Sequence, residues 1–181
     1  MLILITGGSG SGKSAYAESY TMKLSENSKR YYIATMQVFG EEGRKKVERH
    51  REMRSGKGFI TIEQPTDAEQ AIEKLCGSEN GDTVALLECM SNLAANEMFS
   101  EEQPKNCKIV TEKIIHGIEK LNKSVRHLVI VSNNVFEDGI NYDDTTMEYI
   151  KAMGMINQEL AQMADKVIEI VVGIPVVVEE G

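Results

Sequence analysis

Six stretches of the chain are rich in β-branched and other apolar residues. Most of them are apolar without interruption, which is typical of strands that are covered on both faces of a sheet. The predicted strands are Leu2–Thr6, Tyr31–Ala34, Phe59–Glu63, Thr83–Glu88, Leu128–Ser132 and Val167–Val172.

Helical patterns fill several of the intervals between these strands. Asp67 is a candidate cap for one helix, and Gly77 is placed to end it. Methionines on the last helix are expected to fill the core rather than to bind a ligand. The predicted helices are Gly12–Leu24, Ala68–Cys76, Ile109–Leu121 and Thr146–Ala164.

The order of these elements predicts an α/β fold with a mostly parallel central sheet flanked by helices. Near the C-terminus, Gly173-Ile174-Pro175 separates Ile168–Val172 from Val176–Val178 and predicts an antiparallel hairpin at the sheet edge. The 181 residues are enough for one complete core, so residues 1–181 are expected to form a single domain.

The composition is that of an ordinary globular protein, with 41% hydrophobic and 27% charged residues. No apolar run approaches the roughly 20 residues of a membrane span, and the start does not resemble a signal peptide. A cytoplasmic protein is therefore expected.

The net charge of −8 argues against general nucleic-acid affinity. Cys76, Cys89 and Cys107 are widely spaced and favour reduced thiols over a metal site or disulfides.

The most specific motif follows the first predicted strand. Gly7-Gly8-Ser9-Gly10-Ser11-Gly12-Lys13-Ser14 has the phosphate-loop pattern G-x-x-x-x-G-K-[ST] between a strand and a helix. Glycines let backbone N–H groups approach phosphate oxygens, and the helix N-terminus adds partial positive charge. Lys13 is expected to neutralise the β and γ phosphates, and the Ser14 hydroxyl to coordinate Mg²⁺. The motif predicts a nucleoside triphosphate, ATP or GTP, without fixing the reaction.

Polar side chains at two strand ends are further candidates. Glu88 ends an apolar strand, where an acid can help to hold magnesium beside the phosphate loop or can be a strand-end acid without a catalytic role. Ser132-Asn133-Asn134 follows another strand and can face a ligand crevice or form a turn.

The segment from Arg44 to Lys57 holds seven basic and two acidic residues in a chain that is acidic overall. It can be a solvated helix face or an anion-binding arm. His50 lies within it. A neutral imidazole is a competent nucleophile toward phosphorus, but a histidine on a basic helix can equally be a surface residue.

The motifs, taken in order along nearly the whole chain, resemble the bifunctional adenosylcobinamide kinase / adenosylcobinamide-phosphate guanylyltransferase family. The family's Gly-Gly-x-Arg-Ser-Gly-Lys-Ser is similar to Gly7–Ser14, its Tyr-Ile-Ala-Thr to Tyr32–Thr35, and its Arg/Lys-Ile-x-x-His to Lys46–His50. Further similar segments are Thr61–Pro65 (Thr-Ile-Glu-x-Pro), Leu86–Cys89 (Leu-Leu-Asp/Glu-Cys), Gly154–Gln158 (Gly-x-x-Asn-Gln) and Gly173–Pro175 (Gly-Ile-Pro).

The resemblance implies a RecA-like phosphate-loop NTPase fold, a trimer and two reactions. A nucleoside triphosphate phosphorylates adenosylcobinamide, and GTP then guanylylates a histidine that passes GMP to the corrinoid phosphate, giving adenosyl-GDP-cobinamide. By position, His50 is the guanylylated nucleophile, and Lys13 is catalytic in phosphoryl transfer. The phosphate-loop motif and the strand-end acid beside it place magnesium at Ser14 and Glu88. The expected nucleotide contacts are Gly7, Gly8, Ser9, Gly10, Ser11, Gly12, Lys13, Ser14, Arg51, Glu63 and Glu88.

The chain departs from the family pattern near the expected site. Gly10 replaces an Arg, Asn134 replaces a Glu, Phe136 replaces a Gly and Phe59 replaces a Trp, while a Leu-Ala-Arg-x-Phe-Arg-Asp run has become Thr145–Lys151. Two alternatives therefore stay open. One is a kinase for another small hydroxyl substrate, in which His50 is structural. The other is a non-catalytic nucleotide-binding paralogue.

Overall fold

The computed structural model describes residues 1–26, 28–37, 56–75, 82–101, 103–134 and 142–181. The apolar stretches form strands as predicted, with bounds that differ by at most two residues. The strands are β1 (Leu2–Thr6), β2 (Lys29–Ala34), β3 (Phe59–Glu63), β4 (Thr83–Glu88), β5 (His127–Val131), β6 (Lys166–Val171) and β7 (Ile174–Glu180).

Two helices of the described residues begin after a side chain that accepts a hydrogen bond from a backbone amide of the first turn. Asn106 accepts a hydrogen bond from the Lys108 amide, and Asp143 accepts one from the Thr146 amide, so each caps the helix that follows it. The helices are α1 (Lys13–Ser25), α2 (Met90–Met98), α3 (Cys107–Lys123) and α4 (Asp144–Met163). Three of them confirm predicted helices, and α2 is an addition.

The segment after Asp67 corrects one prediction. It is a 3₁₀ helix, Ala68–Lys74, rather than an α-helix reaching residue 76. Asp67 has a positive φ of 49° and caps no backbone amide, because its carboxylate is paired with Lys113 at 2.7 Å. That hydrogen bond also lowers the pKa of Asp67 below its ordinary value. Gly77, the predicted end of the helix, lies outside the described residues.

The strands form one sheet in the order β3-β2-β4-β5-β1-β6-β7, and every neighbouring pair except β6 and β7 is parallel. Successive side chains of β1 point to opposite faces of this sheet. Ile3 and Ile5 pack toward α1, whereas Leu2 and Leu4 join the core formed with α2, α3 and α4. Met153 of α4 is fully buried in that core, as predicted for a packing residue.

The C-terminal hairpin is confirmed, but its turn lies earlier than predicted. Val172 and Gly173 form the turn with φ of 45° and 85°, and Val171 pairs directly with Ile174. A two-residue hairpin turn with positive φ at both central positions matches the twist of the strands. Pro175 therefore belongs to β7, where an edge strand tolerates its missing N–H.

The carboxyl ends of β1 to β6 lie at one edge of the sheet, because these strands run parallel. This edge carries the phosphate loop at the end of β1 and Glu88 at the end of β4.

Among the helices of the described residues, none is long and apolar enough to cross a membrane.

Candidate nucleotide site

The phosphate-loop backbone is held tightly against β6 at its first residue. Gly7 has a φ of 151°, and a Cβ atom at Gly7 would lie 2.6 Å from the carbonyl oxygen of Ile170. At the other end of the loop, Gly12 occupies the N-cap of α1 with a φ of 91°. Both positions therefore require glycine, for close approach at Gly7 and for the left-handed conformation at Gly12.

Lys13 lies at the first position of α1 and is buried. Its Nζ donates a hydrogen bond of 3.0 Å to the carbonyl oxygen of Gly8, so the side chain folds back along the loop. Burial lowers the pKa of Lys13, and the electrostatic influence of Cys89 and Glu88 opposes that shift. The Lys13 ammonium group therefore interacts electrostatically with Glu88, the acid that the sequence predicts to hold magnesium.

Glu88 is oriented by the strand next to its own. The Tyr32 hydroxyl of β2 donates a hydrogen bond of 2.9 Å to Glu88 Oε2. Phe59 packs edge-on against the Tyr32 ring, with 6.0 Å between ring centroids. Thr35 fixes the backbone after Glu88, because its Oγ1 accepts from the Cys89 amide and donates to the Cys89 carbonyl, both at 2.8 Å.

The donor set at this edge fits magnesium. Ser14 is half-buried in the first turn of α1 and offers a hydroxyl oxygen, and Glu88 offers a carboxylate. Mg²⁺ prefers oxygen ligands and is commonly held by one or two protein groups together with substrate phosphates and water. Ser14 follows the phosphate loop after β1 and Glu88 ends β4, so both oxygen donors belong to the carboxyl end of the parallel strands.

The polar residues after β5 are engaged in protein contacts. Ser132 Oγ donates to Asn157 Oδ1 at 2.5 Å, and Asn157 Nδ2 donates to the Asn133 carbonyl at 3.2 Å. Asn133 Nδ2 donates to Ser91 Oγ at 2.7 Å. The hydroxyl of the half-buried Tyr149 donates to the Ser91 carbonyl, and desolvation raises the pKa of Tyr149 to about 12. These bonds tie the end of β5 to α2 and α4.

The structure brings only part of the predicted site together. The phosphate loop, Lys13, Ser14 and Glu88 share one end of the sheet, as expected. Glu63 ends β3 at the same edge, but β2, β4 and β5 stand between it and β1. His50 and Arg51 lie outside the described residues.

Sequence reasoning missed the residues that hold Glu88 in place. Tyr32 and Thr35 belong to the segment Tyr32–Thr35, which was noted only as part of a resemblance. Thr35 directly follows a predicted parallel strand, and this position was a usable signal, because the carboxyl ends of such strands meet at one edge of the sheet.

A family model described as cobinamide kinase / cobinamide phosphate guanyltransferase, CobU, matches residues 3–178. The chain belongs to this family. It therefore belongs to a family of enzymes, and the phosphate loop, Lys13 and Glu88 lie within the matched segment.

Two relatives of this CobU-family chain match over almost their full length. The bifunctional adenosylcobalamin biosynthesis protein CobU of Escherichia coli strain K12 is 28% identical over 185 residues, which cover 97% of this chain and 98% of the relative. The protein of the same name from Salmonella typhimurium LT2 is 26% identical over 186 residues, with coverage of 97% and 98%.

Two solved structures share the fold at low sequence identity. The flagellar accessory protein FlaH from Methanocaldococcus jannaschii gives a TM-score of 0.54 at 13% identity and covers 99% of this chain and 78% of its own. The ATPase domain of G40P gives 0.52 at 13% identity, with coverage of 93% and 68%. The fold of the CobU-family chain is that of the RecA-like phosphate-loop NTPases.

One departure from the family pattern has a local structural setting in this CobU-family chain. Gly10, which stands where the family has Arg, adopts a φ of 73°, a conformation that favours glycine. A Cβ atom at Gly10 would meet no heavy atom within 4 Å, so the loop has open space at this point.

Proposed function

We propose that the protein phosphorylates adenosylcobinamide and then transfers GMP from GTP to the product, giving adenosyl-GDP-cobinamide. Residues 1–181 act as a single phosphate-loop nucleotide-binding domain in this proposal. The observation that carries it is the family match over residues 3–178 together with a phosphate loop, a buried Lys13 and an oriented Glu88 at one sheet edge.

In the kinase step, the substrate hydroxyl attacks the γ-phosphorus of the triphosphate, the hydroxyl proton is lost and the nucleoside diphosphate leaves. Lys13 and the loop amides stabilise the charge on the phosphate oxygens, which is the main contribution a protein makes to this chemistry. Ser14 and Glu88 would hold magnesium, which when bound neutralises charge on the β and γ phosphates. The donor is ATP or GTP.

In the guanylyl step, an imidazole nitrogen of His50 attacks the α-phosphorus of GTP and pyrophosphate leaves. A phosphate oxygen of adenosylcobinamide phosphate then attacks the histidine-bound phosphorus, which releases the imidazole. Arg51 and Glu63 are proposed nucleotide contacts for this step. The basic segment around His50 supplies positive charge for a triphosphate in a chain whose net charge is −8.

The proposed partners are a nucleoside triphosphate and a corrinoid, in a cytoplasmic homotrimer that binds no nucleic acid. The trimer and the location rest on the family resemblance and on the composition. The alternatives are a small-molecule kinase without guanylyl transfer and a non-catalytic nucleotide-binding paralogue. The missing charges at Gly10, Asn134 and Lys151 are the observation that favours the paralogue.

The test is to incubate the protein with adenosylcobinamide, magnesium and either ATP or GTP, and to identify the corrinoid products by mass spectrometry. We expect adenosylcobinamide phosphate with a competent donor, and adenosyl-GDP-cobinamide only when GTP is present. Corrinoid phosphorylation alone would support a kinase without guanylyl transfer, and nucleotide binding without any corrinoid product would support the paralogue or a kinase for another small hydroxyl substrate. Lys13→Ala is the control for phosphoryl transfer.

A further inference from the structure

Asn134 makes three hydrogen bonds at the start of the phosphate loop. The Thr6 hydroxyl donates to Asn134 Oδ1 at 2.7 Å, and Asn134 Nδ2 donates to Glu169 Oε1 at 3.0 Å. The Asn134 backbone amide donates to the Gly7 carbonyl at 3.4 Å. Both ends of the side-chain amide are therefore used, one as an acceptor and the other as a donor.

These contacts meet where three strands reach the loop. Thr6 is the last residue of β1, Asn134 follows β5, and Glu169 lies on β6 as the direct partner of Thr6 in the β1–β6 register. The backbone of β6 also touches the loop at Gly7, through the carbonyl of Ile170. The direction in which the loop leaves β1 is thus fixed from both neighbouring strands.

The chemistry of the two side chains is complementary. Glu169 can only accept hydrogen bonds when it is ionised, so its partner must be a donor, and Asn134 provides one. The family carries Glu at the position of Asn134. A carboxylate there would have no N–H group and would face the Glu169 carboxylate, and two like charges at such a distance repel.

We propose that Asn134 and Glu169 form a single positioning pair that fixes the entry of the phosphate loop. Glu169 acts through Asn134 and Thr6 and is a positioning residue, not a catalytic one. The proposal deepens the proposed function and rests on it, because it concerns the loop that binds the nucleotide.

The test is a double-mutant cycle read out by the dissociation constant of magnesium GDP, which occupies the loop without a group to transfer. Asn134→Glu is expected to weaken binding about tenfold, because it places two carboxylates face to face. Adding Glu169→Gln is expected to restore binding to within about threefold of the wild type, because the new amide donates to the new carboxylate. Glu169→Gln alone keeps an acceptor for Asn134 and is expected to stay within the same range.

The matched control is Asn134→Glu combined with Glu179→Gln. Glu179 is an exposed residue of β7, so this variant has the same net charge as the rescued one but changes no group that faces position 134. It is expected to bind as weakly as Asn134→Glu alone. The melting temperature of each variant is measured in parallel, and Asn134→Asp replaces Asn134→Glu in the cycle if the longer side chain prevents folding.

Equal rescue by Glu169→Gln and Glu179→Gln would overturn the pairing, and so would additive effects at positions 134 and 169. If the wild type binds magnesium GDP and the cycle shows no coupling, the pairing fails and the proposed function stands. If the wild type does not bind magnesium GDP, the proposed function fails, and the proposal that Asn134 and Glu169 position a nucleotide-binding loop fails with it.

Discussion

β1 and β7 are both built largely from aliphatic residues, yet their surroundings are opposite. In β1, Leu2, Ile3, Leu4 and Ile5 are all buried, whereas every residue of β7 is exposed. β1 has a strand on each side and helices on both faces, while β7 pairs only with β6 among the strands that the structure describes. Aliphatic composition therefore predicts a strand, and the place of the strand in the sheet decides how much it contributes to stability and function.

The largest expected effect is on the rate of phosphoryl transfer, and it comes from a substitution at the phosphate loop that follows β1. Lys13→Ala removes the ammonium group that we propose to contact the phosphates and is expected to lower the rate of phosphoryl transfer at least about a hundredfold. The measurement is the steady-state rate of corrinoid phosphorylation. The matched control is Lys23→Ala, an exposed lysine in the last turn of the same helix, which is expected to retain the rate. Equal losses in both variants would contradict the role of Lys13.

The next effect compares the two strands directly. Ile5→Ala opens a cavity in the core beside α1 and is expected to lower the free energy of unfolding by about 2–5 kcal/mol. Val178→Ala on β7 removes exposed atoms and is expected to change it by less than about 0.5 kcal/mol. Urea unfolding followed by circular dichroism measures both. Similar losses at the two positions would mean that β7 is covered in solution, which would break the comparison.

A smaller effect lies at the turn that joins β7 to the rest of the fold. The Gly173 amide donates to the Ser11 carbonyl at 2.9 Å, so the hairpin turn touches the phosphate loop. Gly173→Ala keeps this donor but imposes a side chain at a φ of 85°, and is expected to lower the free energy of unfolding by about 1 kcal/mol.

The matched control for that substitution is Gly154→Ala. Gly154 is an exposed glycine in α4, and a Cβ there meets nothing within 4 Å and faces no positive φ. Alanine favours the helix, so the same change is expected to raise the free energy of unfolding by about 0.5–1 kcal/mol. Opposite signs at the two glycines support the left-handed turn, and the same sign at both would contradict it.

Much of the fold could be predicted because local patterns agree with the global arrangement. Continuous apolar runs gave the strands, and the glycine loop gave the start of α1. The absence of a cap at Asp67 could not be predicted, because its carboxylate is paired with Lys113, which lies on α3 far along the chain. The helix α2 had a readable signal, with Met90, Leu93 and Met98 at helical spacing on a buried face.

The candidate site divides in the same way. The phosphate loop, Lys13 and the strand-end Glu88 could be identified from the sequence, because each belongs to a short local motif: the glycine loop for the first two, and an apolar strand that ends in an acid for Glu88. The hydrogen bond from Tyr32 to Glu88 and the bond from Asn134 to Glu169 could not, because each joins positions on different strands whose register only the fold defines. These contacts orient the site, so the sequence predicts its chemistry better than its geometry.

The most direct test of the account is the intact mass of the protein after incubation with magnesium GTP, measured beside His50→Ala. The account predicts that the wild type gains the mass of one guanylyl group and releases pyrophosphate, while His50→Ala binds GTP and gains nothing. An adduct that persists in His50→Ala, or a wild type that binds GTP without forming one, would contradict guanylyl transfer through His50.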